Sequence, residues 1–354
     1  MLALTSRRTV AVLGCSLLIG GVAGCGSGDD SGTGTAGGGS SSSDDGRALL
    51  NDAFKKLTPD GGPLTSLTTT LSVSGKASLP KDEDIHGLDG KVALTISGEK
   101  LDQKTGTPPV KVTFDVDGSY TDTKDKTHAG KYAGGFSYLN DELFVNWKGK
   151  DYAFGKELTK QFAAGFTQGL KSEAGDTKEL EDISKDPGKL YSTLDLQPGT
   201  WVEDTKVEDG PELDGVATQA VSGKVDVKAV ATDFQEGFKK LPAAFPNVPS
   251  FKEFKSLSTI SDADVKEAED SLTTRDLTVW VGKDDHIVRR LKLDIAGKDD
   301  SATDPIDVDL SIQIDLGKIN QPQGITAPKT SAPVTDLFAE LQKDFPGIGA
   351  LLGG

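Results

Sequence analysis

The chain has 354 residues, of which 35% are hydrophobic and 27% charged, and its formal net charge is −16. A surface this acidic repels the phosphates of nucleic acids, so we expect no nucleic-acid partner. The length is sufficient for one large domain or two small ones, each with its own core.

The N-terminus has the parts of an export signal. Arg7 and Arg8 form a positively charged start, and an apolar stretch follows from Val10 to Val22. This stretch has about 13 residues, which is too short for a helix across the ~30 Å hydrocarbon core of a membrane. The segment Ser6–Val10 also fits a twin-arginine signal. Two arginines are common in ordinary signals, so both export routes remain open.

The apolar stretch ends at Val22-Ala23-Gly24-Cys25. Small residues before a cysteine resemble the lipobox of bacterial lipoproteins, in which the peptide is cut before the cysteine and the cysteine is acylated, for example with palmitate. The resemblance implies a signal peptide at residues 1–24 and lipid attachment at Cys25. An ordinary secretory signal with a coincidental cysteine is the alternative. We therefore expect a protein anchored by lipid to the extracytoplasmic face of the cell membrane.

A linker is predicted behind the cysteine. Residues 26–46 contain only Gly, Ser, Thr, Ala and Asp, which cannot bury apolar area. Such a coil reaches roughly 25 Å. Cys15 lies in the apolar stretch and would leave with the signal, so the remainder has no disulfide. The predicted division is signal peptide 1–24, lipidated cysteine and linker 25–46, and a single folded domain 47–354.

The folded part begins with a helical pattern and continues mostly as strands. Asp45 is the predicted N-cap of a helix that carries an apolar stripe from Leu49 to Leu57. Alternation of apolar and polar residues, typical of strands that bury one face, then recurs at residues 67–79, 92–96, 110–116, 138–154, 216–227, 277–281, 287–295 and 306–316. Further helices are predicted at residues 158–170, 228–241, 261–272 and 334–345.

These patterns predict an α+β fold in which a large antiparallel sheet packs on a few helices. Helices do not separate the strands one by one, which disfavours a parallel doubly wound sheet. Gly75, Gly98 and Gly223 lie inside strand patterns and allow sharp curvature, although bulges or strand ends explain them equally well. Acidic loops are expected at residues 81–90, 99–109 and 121–130.

Four segments in the second half of the chain resemble actinobacterial lipoproteins of the LppX/LprAFG type. They are Leu196–Trp201, Leu213–Asp226, Leu277–Arg290 and Ile319–Pro322. The resemblance covers mostly residues 196–330 and rests on strand and turn signatures. It implies a LolA-like fold, a curved half-barrel sheet around helices, with an apolar cavity for lipids or lipidated molecules.

Several aromatic and apolar residues are candidates for the wall of such a cavity: Trp147, Phe154, Phe162, Phe166 and Leu170. Packing in an ordinary core is the alternative for each of them. The leading hypothesis is a monomeric lipoprotein that binds or carries a lipid or glycolipid in the cavity. The alternative is a cell-envelope interaction or sensor module with a filled core.

No pattern of residues indicates an enzyme, a metal site or a cofactor. His86, His128 and His286 are too far apart in sequence to share a metal by local spacing. The segments Asp115–Gly118 and Asp299–Asp304 lack the ligand ladder and terminal glutamate of an EF-hand. We therefore expect a protein without catalytic activity.

Overall fold

The computed structural model describes residues 43–57, 65–78, 85–101, 108–122, 125–162, 192–246, 248, 261–299 and 306–344. The predicted signal peptide, the lipobox residues Val22, Ala23 and Gly24, and Cys25 lie outside these residues, as do the cavity candidates Phe166 and Leu170.

A 12-stranded sheet dominates the described residues. Its strands are β1 Ser66–Ser78, β2 Ile85–Glu99, β3 Val110–Asp122, β4 Thr127–Leu139, β5 Glu142–Trp147, β6 Lys150–Ala153, β7 Val202–Asp209, β8 Thr218–Val225, β9 Leu272–Gly282, β10 Val288–Asp299, β11 Ile306–Gly317 and β12 Ala332–Pro333. The order is β12-β6-β5-β4-β3-β2-β1-β11-β10-β9-β8-β7. Two antiparallel meanders, β1–β6 and β7–β11, are thus joined by the pairing of β1 with β11. Only the short β12–β6 pair is parallel among these described strands.

The helices are α1 Ser43–Lys55, α2 over residues 155–162, α3 Val227–Ala244, α4 Asp262–Ser271 and α5 Val334–Asp344. The predicted α+β class with a large, curved, almost wholly antiparallel sheet is therefore confirmed. The predicted strands and helices are present wherever they fall on described residues.

One face of the sheet carries the apolar residues of every long strand, because opposite residues of antiparallel strands share a face. We call it the inner face. One of its cross-strand rows consists of Val279, Leu291, Ile314, Leu71, Leu94, Phe114, Gly134 and Trp147. The outer face carries polar residues, and hydroxyls on β1 and β2 bond across it, as in the pairs Thr68–Ser97 and Thr70–Thr95.

Two helices cover the inner face over β8–β11. Leu50 and Ala53 of α1 are buried with Val279, Leu291 and Ile314 of the sheet, and Val230 and Phe234 of α3 pack against the same cluster. Because each helix presents one apolar stripe and the strands present one apolar face, burial of the two together forms the main core.

The start of α1 differs from the prediction. The helix begins at Ser43, so that Asp44 and Asp45 lie in its first turn instead of Asp45 capping it. Carboxylates in a first turn are favourable next to the positive end of the helix dipole. Gly46 is buried, and a Cβ there would lie 3.1 Å from Thr205. The last residues assigned to the linker therefore belong to the folded part.

Other local differences have equally local causes. Residues 85–90, 99, 121–122 and 127–130 belong to strands β2, β3 and β4, so the acidic loops predicted there were drawn too wide. Polar residues at these strand ends lie on the outer face or at exposed edges of the sheet. The alternation of apolar and polar residues that predicts a strand is therefore weaker there. Pro242, expected after the end of a helix, lies in the last turn of α3.

Candidate functional site on the inner face

Six large apolar side chains on the inner face of β2–β4 are exposed. They are Leu88, Val92, Ile96, Tyr120, Tyr132 and Phe136, with exposed fractions between 38% and 44%. Their registers place all of them on the same face as the core. We call this set the inner-face patch. Contiguous exposed apolar surface in a soluble protein marks a place where a ligand, membrane or partner binds.

The inner-face patch lies between two buried clusters. On the β1–β11 side is the core beneath α1 and α3. On the β5–β6 side, Trp147 and Tyr152 are buried with Val334 and Leu337 of α5. The patch therefore forms the middle of a continuous apolar face whose two flanks are covered by helices, as expected of a site lined by the sheet and bordered by helices.

A row of glycines runs across strands β1–β4 and passes between members of the inner-face patch. Gly75, Gly90, Gly118 and Gly130 lie directly opposite one another on β1–β4. On one side of this row are Val73, Val92, Val116 and Tyr132, and on the other Ala77, Leu88, Tyr120 and His128. Because these positions have no side chains, the four strands can bend together, and we expect the row to form a crease in the sheet.

The structure separates the predicted cavity residues into two environments. Trp147 is buried, and its ring centroid lies 6.2 Å from that of Phe114. Phe154 is partly buried and contacts the ring of Phe162 at 5.9 Å and that of Phe338 in α5 at 6.5 Å. Phe162 remains 54% exposed. The three residues thus lie together at the β5–β6 flank, beside the patch instead of within it.

Polar groups border the patch at the tips of β3 and β4. The rings of Tyr120 and His128 stack with centroids 4.7 Å apart, and Nε2 of His128 lies 2.9 Å from Oδ2 of Asp122. The apolar patch therefore ends in a hydrogen-bonding rim, an arrangement that suits a ligand with one apolar and one polar part.

The outer face has the opposite character. Cross-strand ion pairs join Lys131 to Asp117 at 2.6 Å and Lys298 to Asp307 at 2.9 Å. The Lys131 pair raises the pKa of the ammonium group, through the hydrogen bond and the charge of Asp117. Exposed pairs of this kind contribute little stability, but they keep the outer face hydrated. The contrast leaves the inner face as the surface suited to an apolar ligand.

One polar atom is buried without a partner at the edge of the site. Tyr152 is fully buried (0% exposed), and its hydroxyl makes no hydrogen bond. Burial of an unpaired hydroxyl costs about 1–3 kcal/mol. Sequence reasoning did not single this residue out, although it lies in the predicted strand pattern at residues 138–154.

Within the described ranges, no cluster of three or more His, Cys, Asp or Glu side chains is arranged to hold a metal ion. None of the described helices combines the length and the apolar character that a membrane crossing requires.

No protein-family model matches the sequence, and no curated protein matches it. Among solved structures, the chain is similar to LprF from Mycobacterium bovis, with a TM-score of 0.31 and 16% identity over 82% of this chain and 99% of that one. It is also similar to a beta-barrel-like protein of a domain of unknown function, DUF1849, from Brucella abortus. That match has a TM-score of 0.13 and 11% identity over 72% of this chain and 98% of the other.

Proposed function

We propose that the protein is a lipid-anchored, extracytoplasmic binding protein that holds an apolar ligand, a lipid or glycolipid, against the inner face of its sheet. The inner-face patch carries the proposal, because six exposed apolar side chains continue the apolar face of the core. Cys25 supplies the anchor, and the residues that follow it supply a tether. The protein binds and carries its ligand without a catalytic step or cofactor.

The free energy of burying apolar area favours a patch covered by an apolar ligand over a patch in contact with water. Each residue of the patch leaves between 38% and 44% of its area in water, and transfer of apolar area out of water contributes roughly 25 cal/mol per Å². A chain lying across Val92, Ile96 and Phe136 removes area from all three at once. The polar rim at His128 and Asp122 then faces the ligand's polar part.

The first test is recovery of the ligand. The tagless protein, extracted from its native membrane and purified folded, is treated with organic solvent, and the extract is analysed by mass spectrometry. We expect a stoichiometric apolar compound. An extract without one, together with no binding of added lipid, contradicts the proposal and favours the alternative of an envelope interaction module with a filled core.

A matched pair of variants locates the ligand. Val92→Lys places a charge in the inner-face patch, whereas Ala93→Lys places the same charge one residue away on the outer face. Both positions lie in the middle of the same paired strand, and thermal unfolding of each variant checks that it folds. We expect Val92→Lys to lower lipid affinity at least tenfold and Ala93→Lys to leave it unchanged. Equal affinities would place the ligand elsewhere.

A further inference from the structure

The buried hydroxyl of Tyr152 points to a property of the ligand. Tyr152 packs with Trp147, Val334 and Leu337, all of which present apolar atoms to it. Nζ of Lys150 lies over the ring at 5.0 Å from its centroid and is itself a donor. A phenol hydroxyl can donate one hydrogen bond, and here it makes none.

Tyr152 belongs to the same face and the same row as the patch. It lies opposite Val145, which lies opposite Phe136, which in turn lies opposite Val112, and that residue lies opposite Ile96. Adjacent strands are about 4.8 Å apart, so the backbone of Tyr152 is roughly 10 Å from that of Phe136. Tyr152 therefore lies at the covered end of a row in which Phe136 and Ile96 are exposed.

The element over Tyr152 is α5. Its residues Val334 and Leu337 complete the buried cluster, and it follows β12, which is held to β6 by a two-residue pairing. Phe338 of α5 also contacts Phe154, with ring centroids 6.5 Å apart, and an exposed ion pair joins Glu340 to Lys150 at 3.7 Å. Because α5 covers Tyr152, a ligand along the row can reach the hydroxyl only if α5 is displaced.

We infer that Tyr152 is a specificity-determining residue, whose hydroxyl donates a hydrogen bond to an acceptor oxygen of the bound ligand once α5 has shifted. The ligand class is an apolar chain that bears an ester, amide or ether oxygen. This inference rests on the proposed function, since it concerns the same inner face. It explains why a tyrosine, with an unpaired hydroxyl, fills a space that a phenylalanine would fill at lower cost.

The test compares two probes on three proteins. The probes are a pyrene-labelled saturated hydrocarbon and the pyrene-labelled fatty-acid methyl ester of matching length, titrated by fluorescence. The proteins are the wild type, Tyr152→Phe and Tyr138→Phe. The control residue Tyr138 lies on the same face, but its hydroxyl donates to Oδ1 of Asp141 at 3.2 Å. Thermal unfolding of each ligand-free protein is measured alongside.

We expect the wild type and Tyr138→Phe to bind the ester about fivefold more tightly than the hydrocarbon, which is the net effect of one hydrogen bond. Tyr152→Phe should lose this preference, keep its affinity for the hydrocarbon, and unfold at an equal or higher temperature. A preference that survives in Tyr152→Phe overturns the inference. So does a clearly lower unfolding temperature of that variant, because the hydroxyl would then have a partner, such as a buried water, in the ligand-free protein.

The remaining outcomes separate this inference from the proposed function. If the wild type binds both probes equally well, the apolar site stands and the role of Tyr152 is wrong. If the wild type binds neither probe, the proposed function fails, and the role of Tyr152 fails with it.

Discussion

Gly75 of β1 lies directly opposite Gly90 of β2, and both have positive φ angles, +145° and +159°. A Cβ atom on Gly75 would overlap the carbonyl oxygen of Asp309 on β11, and one on Gly90 would lie 2.6 Å from the carbonyl oxygen of Asp117 on β3. The two glycines therefore allow backbones on both sides to approach more closely than any other residue would permit.

Substitution of Gly75 tests this crease. We expect Gly75→Ala to lower the free energy of unfolding by about 3 kcal/mol, because the added methyl group meets fixed backbone and the φ angle disfavours alanine. Gly149→Ala is the matched control, since Gly149 also has a positive φ of +79° but no atom within 4 Å of the added carbon. We expect Gly149→Ala to lower the free energy of unfolding by about 1 kcal/mol. Urea denaturation of both variants measures the difference, and equal costs would show that close approach is unimportant.

A second prediction concerns the carboxylate that joins α3 to the turn before β7. Oδ2 of Asp233 accepts hydrogen bonds from Nε1 of Trp201 at 2.6 Å and from the backbone N–H of Gln197 at 2.7 Å. Trp201 is buried and stacks on Phe234. We expect Asp233→Ala to lower the free energy of unfolding by about 1–3 kcal/mol, because the indole N–H loses its acceptor inside the core.

The control for Asp233 is an exposed carboxylate with an equally short contact. Asp209 lies 2.6 Å from Nζ of Lys283 at the surface. Asp209→Ala should leave stability close to that of the wild type, because exposed ion pairs contribute little. Urea midpoints that fall equally for the two variants would contradict a special role for Asp233.

Much of the fold follows from local sequence patterns. Apolar and polar residues alternate in β11 because one face of this strand is buried. The predicted bounds of 306–316 therefore agree with the observed strand to within one residue. The stripe from Val334 onward likewise predicted α5. In such elements local periodicity and the tertiary core agree, which is why the sequence alone is informative.

The site was harder to predict from the sequence than the fold, because it depends on the register between strands. Gly75 was recognised as a strand glycine, but its alignment with Gly90, Gly118 and Gly130 follows from pairing over many residues. Gly98, recognised by the same signal, lies outside this row. Exposure of a residue on an apolar face also cannot be predicted from local sequence. Phe136 and Trp147 both lie at apolar positions of an alternating strand pattern, yet only Phe136 is exposed. The cavity assigned to the predicted aromatic residues stays a prediction.

A third prediction concerns acid stability. Burial raises the pKa of Asp294, but hydrogen bonds from Lys292 and Ser311 and the charge of Lys292 outweigh it and hold the pKa below its usual value. A carboxylate with a lowered pKa in the folded state stabilises the protein above the unfolded-state pKa of about 3.9, and this contribution is lost as the pH falls through the folded-state value. Stability of the wild type should therefore decrease below about pH 4.

Two variants isolate this contribution. Asp294→Asn removes the titrating group, and Lys292→Met removes the ammonium that lies 2.8 Å from Oδ2 of Asp294. In each variant the loss of stability between pH 5 and about pH 2 should be smaller than in the wild type. Both side chains are partly exposed, so salt should reduce the difference. Identical pH profiles for the three proteins, measured by urea denaturation, would exclude a contribution from this pair.

The last prediction concerns the anchor at Cys25. If the peptide is cut before Cys25 and the thiol is acylated, the wild-type protein should partition with membranes and into detergent, because two or three acyl chains bind firmly whereas one binds only marginally. Cys25→Ala removes the acylation site and should release the protein from the membrane or leave its signal uncut. Ser27→Ala, two residues further on, is the matched control and should partition like the wild type. Mass spectrometry of the intact proteins follows the acyl chains. A Cys25→Ala protein that stays in the membrane with its processing unchanged would contradict acylation at this residue.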